Sequence, residues 1–316
     1  MKPFPISQLD LPKSRIVGNS ILIGGCMRSG TTIVGKLMGS LKEVNYFFEP
    51  AFMHRFLFTR SEMPSAIWKQ LFEAYTFDDL YLNNLAGRNF NFNSHDGSYV
   101  HQLKSEAEIS SRMERSYGRL ELVEMAETGY FSFKLPDIVF GIKDLKKWYP
   151  DMKFLSMFRN ANDVLNSILK KKWNTDSQLH VASPEPLRDY RLVGEMRVPK
   201  WVKEEDIQDW LGMSELDRTA YYYCEINEEL LRQMDHTIVL DYDYFVKHPA
   251  QTLERLCSQW NLNKGDKTEG IVKNIYLRSA QREDLLTNVR PDLLDRIQFI
   301  QQAIGNYAGP NLIKAL

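Results

Sequence analysis

The sequence predicts an α/β fold: a central parallel sheet flanked by helices, with inserted lid or specificity loops. Three observations lead to this prediction. Short apolar runs alternate with amphipathic stretches along the chain, which is the pattern of a parallel sheet covered by helices. The first apolar run ends in a glycine-bearing turn, and an apolar-periodic stretch follows at once. Hydrophobic residues make up 43% of the 316 residues and charged residues 26%, which is an ordinary globular composition.

The same alternation places the individual elements. We expect strands at residues 20–24, 130–135, 153–158 and 237–241, and helices at residues 31–41, 138–148, 161–172, 215–234, 250–260 and 291–303. Two regions interrupt the alternation, because residues 60–127 are rich in aromatic residues, asparagine and serine, and residues 174–203 hold three prolines. We interpret both as insertions that carry specificity, within a single domain that spans residues 1–316.

Composition limits the class of function. The formal net charge of −1 argues against a protein that coats nucleic acid. The three cysteines are scattered, so neither a disulfide framework nor a CxxC metal site is expected, and a reducing, cytoplasmic location fits best. The sequence has no run of about 18 apolar residues that would predict a membrane span. The first residues carry prolines and no long apolar run, so we expect no secretory signal.

Residues 24–32 form the most informative motif. Because they lie between a predicted strand and a predicted helix, backbone N–H groups and the positive helix end point to one place, where a phosphate can bind. The spacing from Gly25 to Gly30 matches the first half of the Walker A pattern GxxxxGK[ST]. Thr31 stands at the lysine position, and the strong base is Arg28 instead. The loop is therefore P-loop-like, but it does not suit the β- and γ-phosphates of a nucleoside triphosphate with magnesium.

The string GCMRSGTT at residues 25–32 resembles the 5′-phosphosulfate loop of sulfotransferases. These enzymes move a sulfuryl group from 3′-phosphoadenosine-5′-phosphosulfate (PAPS) to a hydroxyl or amine and release 3′,5′-ADP. The resemblance implies that the donor is held by Arg28, Ser29, Gly30, Thr31 and Thr32.

A second motif follows the predicted strand at residues 153–158. Arg159 stands at the strand end, and Ser167 lies eight residues later, about two turns into the next helix. A guanidinium and a hydroxyl so placed could both reach one phosphate. The pair resembles the 3′-phosphate motif of sulfotransferases, and Asn160 or Asn162 can cap the helix. The alternative is a surface arginine and an ordinary helix serine. A third segment, residues 239–262, resembles a late sulfotransferase segment that supports the sheet and the site.

Glu49 and Lys134 are the candidate catalytic residues beside Arg28. Glu49 lies 21 residues after Arg28, behind an aromatic run. This spacing resembles the tyrosylprotein and carbohydrate sulfotransferase branch, in which a glutamate on the next short strand acts as the base. Lys134 lies near the end of a predicted strand, two residues before Pro136, so the side chain is expected to point into the ligand crevice. In that branch a similar lysine contacts the transferring sulfate. The alternatives are a loop carboxylate paired with Arg55 or Arg60, and a lysine with no catalytic part.

Three further residues are candidates for acceptor binding. Arg55 resembles a cation of the glutamate-base branch, and His95 and His101 are the reserve candidates for the base, because the branch that sulfates small phenols uses a histidine. No metal-ligand cluster is visible in the sequence, and none is expected. The late RKGxxGxWK segment of many sulfotransferases is missing, and residues 278–282 fall roughly where it would lie. An arginine there could supply the missing cation.

The sequence leaves the acceptor and the rival functions open. We expect a small-molecule or glycan acceptor, and no nucleic acid partner. The alternatives are a P-loop kinase, which the spacing of Gly25 and Gly30 favours, and a non-catalytic relative that binds the nucleotide. The oligomeric state is not predicted.

Overall fold

The computed structural model describes residues 12–185, 189–276, 282–307 and 312–313. Within these ranges the central sheet has six strands in the order β2–β3–β1–β4–β7–β8, and every neighbouring pair is parallel. A separate antiparallel hairpin is formed by β5 and β6. The predicted α/β class is therefore confirmed. The strands are β1 Ile21–Gly25, β2 Val44–Phe48, β3 Tyr130–Lys134, β4 Lys153–Phe158, β5 Tyr190–Val193, β6 Met196–Pro199, β7 Ile238–Asp241 and β8 Leu312–Ile313.

Helices cover both faces of the sheet. The helices are α1 Pro12–Gly18, α2 Thr31–Gly39, α3 Ala51–Phe56, α4 Ser65–Glu73, α5 Leu82–Leu85, α6 Val100–Leu103, α7 Glu106–Met113, α8 Arg119–Thr128, α9 Ile142–Trp148, α10 Ala161–Leu169, α11 Asp176–Leu179, α12 Ile207–Gly212, α13 Glu215–Arg232, α14 Tyr242–Lys247, α15 Pro249–Trp260, α16 Thr268–Lys273 and α17 Pro291–Asn306. Across the described parts of the chain, no helix is long and apolar enough to cross a bilayer.

The central strand β1 shows why the sheet is buried on both faces. All five of its residues are buried, and alternate side chains point to opposite faces of a strand. Ile21 and Ile23 pack with α2, α14 and α15 on one face, while Leu22 packs with α10 and α13 on the other. Gly25 ends the strand with φ of 115°, and a Cβ there would lie 2.4 Å from the carbonyl oxygen of Met157. Glycine is therefore required where β1 approaches β4.

The inserted region between β2 and β3 is mainly helical rather than a surface loop. The π-helix Ala74–Tyr81 continues α4. Trp68 and Phe72, four residues apart on α4, are buried and stack with ring centroids 5.2 Å apart. Tyr81 is also buried, and its ring lies 5.8 Å from that of Phe131 on β3. Trp68, Phe72 and Tyr81 therefore belong to the core rather than to a surface loop.

Other differences from the predicted elements have local causes. The helix expected at residues 138–148 begins as the 3₁₀ turn Pro136–Gly141, and α9 starts only at Ile142. Strand β2 and the β5–β6 hairpin lie outside the predicted set, since their short apolar runs have no clear boundary in the sequence. The second insertion holds that hairpin and α11, and its residues 186–188 lie outside the described residues. The single domain over residues 1–316 stays a prediction.

Candidate active site

Most of the residues singled out from the sequence converge on a cleft of about 1300 Å³ at the carboxyl ends of the strands, where ligands bind in open α/β sheets. The ends of five strands contribute to it: the loop after β1, Glu49 after β2, Lys134 on β3, Arg159 after β4 and Tyr242 after β7. Among the described residues that line the cleft, seven are basic and two are carboxylates, namely Arg28, Lys36, Lys134, Arg159, Lys170, Lys267 and Arg282 against Glu49 and Asp163. The lining therefore suits a polyanion.

The N-terminus of α2 opens into this cleft. Gly30 is the N-cap with φ of 99°, a region that favours glycine. Thr31 and Thr32 form the first turn and line the cleft. N–H groups of a first helical turn have no partner within the helix, and the helix dipole is positive there. Ser29 is buried instead, and its N–H and Oγ donate to the carbonyl of Cys26 at 3.2 and 2.5 Å. Ser29 therefore holds the shape of the loop.

Arg28 joins the two predicted phosphate motifs. Its Nε donates to Ser167 Oγ at 3.0 Å, and its carbonyl oxygen accepts from Arg159 Nη1 at 3.1 Å. Arg28 itself has φ of 65°, an uncommon conformation for a residue other than glycine. Asn160 caps α10 by accepting from the N–H of Asp163 at 2.9 Å, as the sequence predicts for Asn160 or Asn162. The two motifs thus form one continuous basic surface.

Asp163 fixes two arginines at the same end of the cleft. Its Oδ2 accepts from Arg159 Nε and Nη2 at 3.2 and 3.0 Å, and its Oδ1 pairs with Arg282. The guanidinium carbon of Arg159 lies 4.0 Å from the ring centroid of Tyr242, a cation–π distance. Burial lowers the pKa of Arg159, and Tyr242 and Asp243 oppose that shift. Asp163 and Tyr242 therefore hold the arginine side chain in one orientation.

Of residues 278–282, which could supply a late cation, only Arg282 is among the described residues. Residues 278–281 lie outside the described residues, whereas Arg282 lines the cleft. The chain beside it is tied to α10, because the carbonyl of Glu283 accepts from the side-chain amides of Asn162 and Asn166 at 3.0 and 2.9 Å. These bonds place Arg282 next to the Arg159 motif.

Glu49 and Lys134 meet directly. The Nζ of Lys134 donates to Oε1 of Glu49, and the N–H of Glu49 donates to the carbonyl of Lys134 at 3.0 Å. The side chain of Lys134 is 5% exposed and that of Glu49 is 26% exposed. Burial lowers the pKa of Lys134, and the Glu49 carboxylate opposes the shift. Glu49 has φ of 43°, and backbone strain of this kind clusters at functional sites.

Arg55 and Arg60, the alternative partners of Glu49, pair with other carboxylates. Arg60 pairs with Asp144 at 2.8 Å. Arg55 pairs with Glu185 at 2.5 Å, and both side chains are more than half exposed. The carboxylate of Glu49 is therefore held by Lys134 inside the cleft rather than by either arginine.

Of the three candidates for acceptor binding, only His101 lines the cleft. His101 lines the cleft, and its Nδ1 lies 2.6 Å from Oε1 of Glu106. The described residues that line the cleft include neither Arg55 nor His95. The backbone N–H of His95 donates to the side chain of Asn93 at 3.0 Å in an exposed turn. The structure thus brings one histidine candidate to the site and leaves the other two residues outside it.

Comparison with known proteins assigns the chain to a family. The model of the sulfotransferase family matches residues 20–266, most of the chain. The chain belongs to the sulfotransferase family. No curated protein matches it significantly.

Solved structures of three bacterial sulfotransferases are similar to this family member at low identity. One is from Alicyclobacillus acidocaldarius, with 13% identity, a TM-score of 0.41, and 90% of this chain and 92% of that chain covered. Sulfotransferase STF1 from Mycobacterium tuberculosis has 14% identity, a TM-score of 0.40, and coverage of 92% and 78%. Sulfotransferase STF9 from Mycobacterium avium has 15% identity, a TM-score of 0.42, and coverage of 94% and 78%. The family model alone carries the assignment.

Several residues at the cleft of this sulfotransferase-family protein were not predicted as site residues. They are Lys36, His54, Gln102, Asp163, Lys170, Trp173, Gln178, Tyr190, Tyr242, Lys267, Asn274 and Tyr276. Asp163 and Tyr242 lie inside recognised motifs, so their positions were detectable although their roles were not. Trp173 lies just before the second insertion and Tyr190 lies within it, and neither belongs to a sequence motif. Among the described residues, no group of three or more His, Cys, Asp and Glu is placed to hold a metal ion.

Proposed function

We propose that this protein transfers the sulfuryl group of PAPS to a hydroxyl group, with Glu49 as the base. One observation carries the proposal: the carboxylate of Glu49, the ammonium of Lys134, and the guanidinium groups of Arg28 and Arg159 all line a single cleft beside the N-terminus of α2. A base next to a row of fixed cations is the arrangement that proton removal and charge transfer to a leaving phosphate require.

The donor would lie along the basic surface. Arg28 and the N–H groups at the start of α2, from Gly30 to Thr32, would hold the 5′-phosphosulfate. Arg159 and Ser167 would hold the 3′-phosphate, and Arg282 would add a second guanidinium there. These groups also bond to one another, since Arg28 Nε donates to Ser167 Oγ at 3.0 Å. Donor binding therefore exchanges protein partners for phosphate oxygens.

The transfer forms a bond from the acceptor oxygen to sulfur and breaks the bond from sulfur to the 5′-phosphate oxygen, which leaves with the electron pair in 3′,5′-ADP. Glu49 takes the proton of the acceptor hydroxyl at one of its carboxylate oxygens. Lys134 and Arg28 hold the oxygens on which negative charge develops. Side-chain cations suffice for this charge, so the proposal needs no metal.

The cleft supports a small-molecule or glycan hydroxyl as the acceptor. Its volume of about 1300 Å³ exceeds the roughly 300–1000 Å³ that one drug-sized ligand occupies, which leaves room for donor and acceptor together. The excess of basic side chains along the lining disfavours an ammonium group. A cytoplasmic location stays a prediction from the few, scattered cysteines.

The test is the release of 3′,5′-ADP from PAPS in the presence of panels of sugars, phenols, aliphatic alcohols and amines. We expect release that depends on a hydroxyl acceptor, and a fall of about 10²- to 10⁴-fold in kcat for Glu49→Gln. The affinity of this variant for 3′,5′-ADP, measured by calorimetry, should be close to that of wild type, because the substitution leaves the phosphate-binding groups untouched.

Two results would contradict the proposal. Tight binding of 3′,5′-ADP without acceptor-dependent release would indicate a non-catalytic relative. Phosphoryl transfer from ATP with magnesium would indicate a kinase.

A further inference from the structure

We infer that His54 is a positioning residue for Glu49: it holds the second carboxylate oxygen and fixes which oxygen faces the acceptor. This inference rests on the proposed role of Glu49 as the base. His54 lines the cleft and is 6% exposed. Its Nε2 lies 3.7 Å from Oε2 of Glu49.

The chain path brings this histidine back to the glutamate. Strand β2 ends at Phe48, Glu49 and Pro50 form the turn, and α3 begins at Ala51. His54 is five residues beyond Glu49 and lies in the last turn of that short helix. Because φ of Glu49 is 43°, the chain reverses sharply at the turn. Helix α3 thereby brings His54 back beside the carboxylate of Glu49.

The carboxylate is therefore flanked from two elements. Lys134 on β3 donates to Oε1, and His54 on α3 lies beside Oε2. The gap of 3.7 Å on the His54 side is longer than a hydrogen bond. Such contacts at catalytic groups are often long in the free enzyme and shorten when the reactants bind. A carboxylate held at both oxygens has a single orientation, whereas one held only by a lysine can turn.

An imidazole suits this position because Glu49 must exist in two states. Before transfer the glutamate is a carboxylate, and an N–H at Nε2 of His54 can donate to it. After Glu49 has taken the acceptor proton on its other oxygen it is a carboxylic acid, and the same N–H at Nε2 still donates to the oxygen that carries no proton. A second lysine or arginine here would add a fixed positive charge, which opposes protonation of Glu49. Arg55, the next residue, is paired with Glu185 away from the cleft, so His54 is the side chain of this turn that meets Glu49.

The test compares His54→Phe, which removes both ring nitrogens, with His54→Gln, whose amide nitrogen can occupy the Nε2 position. The measured quantity is the rate of 3′,5′-ADP release from PAPS. The acceptor is the compound that gives the fastest release in the panels described above, or water if none does. We expect His54→Phe to lower kcat about 10- to 100-fold, with the KM for PAPS and the affinity for 3′,5′-ADP unchanged. His54→Gln should recover most of the rate.

The Glu49→Gln background separates positioning from a structural role. If His54 acts through Glu49, adding His54→Phe to Glu49→Gln should cause no further loss, since the group being positioned is already gone. His180→Gln is the matched control: His180 also pairs with a glutamate, Glu195, at 3.2 Å, but it is not among the described residues lining the cleft. This control should keep the wild-type rate.

Each outcome decides between the possibilities. Wild-type kcat in His54→Phe, or losses that multiply in the double variant, would overturn the role of His54. A His54→Phe protein that has lost affinity for 3′,5′-ADP, with His54→Gln equally impaired, would show that the histidine supports the fold instead. No release by the wild type, despite binding of 3′,5′-ADP, would remove the proposed function itself.

Discussion

The turns after β1 and β2 lie on either side of β3, and both lead from a strand into a helix, yet they offer a ligand different groups. Each contains a residue other than glycine with positive φ, Arg28 in the first turn and Glu49 in the second. The first turn ends in Gly30, the N-cap of the nine-residue α2. The second ends in Pro50, the N-cap of the six-residue α3.

What each turn presents to the cleft decides what it can do. Gly30, Thr31 and Thr32 line the cleft, so the backbone N–H groups at the start of α2 are open to an anion. The second turn has a proline N-cap, which has no N–H of its own, and it presents the carboxylate of Glu49 to the cleft. Two turns of similar geometry therefore supply an anion site and a base to one cleft, and Lys134 on β3 stands between them.

Among the changes that test this comparison, removal of Lys134 should have the largest effect, because β3 lies between the two strands that lead into the turns. Lys134→Met deletes the cation beside Glu49, and we expect kcat for sulfuryl transfer to fall about 10²- to 10³-fold. The affinity for 3′,5′-ADP should hardly change, because this product lacks the sulfuryl group. Lys104→Met is the matched control: Lys104 is equally buried, at 7% exposure, but donates to the carbonyl of Leu41. A wild-type rate in Lys134→Met would contradict the account.

The fall of kcat/KM for PAPS at high pH tests whether the charge of Lys134 is needed for transfer. Burial lowers its pKa below the ordinary lysine value of 10.5, so Lys134 loses its charge, and kcat/KM for PAPS should fall, at a pH below 10.5. An arginine stays charged throughout that range. The alkaline limb of Lys134→Arg should therefore shift to higher pH, whatever its maximal rate. An unchanged limb would mean that another group limits the alkaline rate.

Gly30→Ala tests the first turn through stability. A Cβ at this residue would lie 2.6 Å from the ring of Tyr242, and φ is 99°. Strain of this kind costs about 1–3 kcal/mol, so the free energy of unfolding in urea should fall by that amount, and the affinity for 3′,5′-ADP should fall with it. Gly194→Ala, also at positive φ but with open space around its Cβ, separates the backbone strain from the clash.

Arg28→Gly should give the smallest and opposite change in stability. A residue other than glycine in this conformation costs about 1–2 kcal/mol, and the flexibility of glycine in the unfolded chain offsets part of the gain. We expect the free energy of unfolding to rise by less than about 1 kcal/mol while the affinity for 3′,5′-ADP falls. A variant that is both less stable and unimpaired in binding would show that Arg28 is structural.

Local motifs made much of this site predictable from the sequence. Glu49, Lys134 and Arg159 each stand at a strand end, and parallel strands bring their carboxyl ends to one edge. Arg28 and Ser167 were likewise placed by short-range spacing. The sheet followed from apolar runs, because strands buried on both faces are almost continuously apolar.

The remaining features depend on contacts between distant segments. His54 has no motif, and only the reversal of the chain at Glu49 brings it to the carboxylate. The sequence predicts a lid or insertion for the aromatic residues of α4, since nothing local indicates that they belong to the core. The sequence predicts Arg55 and His95 as acceptor-binding residues, but Arg55 pairs with Glu185 and His95 lies in an exposed turn.

The most direct measurement is calorimetric titration of wild type, Arg159→Ala and Arg60→Ala with 3′,5′-ADP and with ATP and magnesium. Arg60 is the matched control, because it pairs with Asp144 outside the described lining of the cleft. We predict that 3′,5′-ADP binds wild type and Arg60→Ala alike and binds Arg159→Ala about 10- to 100-fold more weakly, as expected for loss of a charge-assisted contact of about 1.5–3 kcal/mol. Binding of ATP with magnesium but not 3′,5′-ADP, or an unaffected Arg159→Ala, would contradict the account.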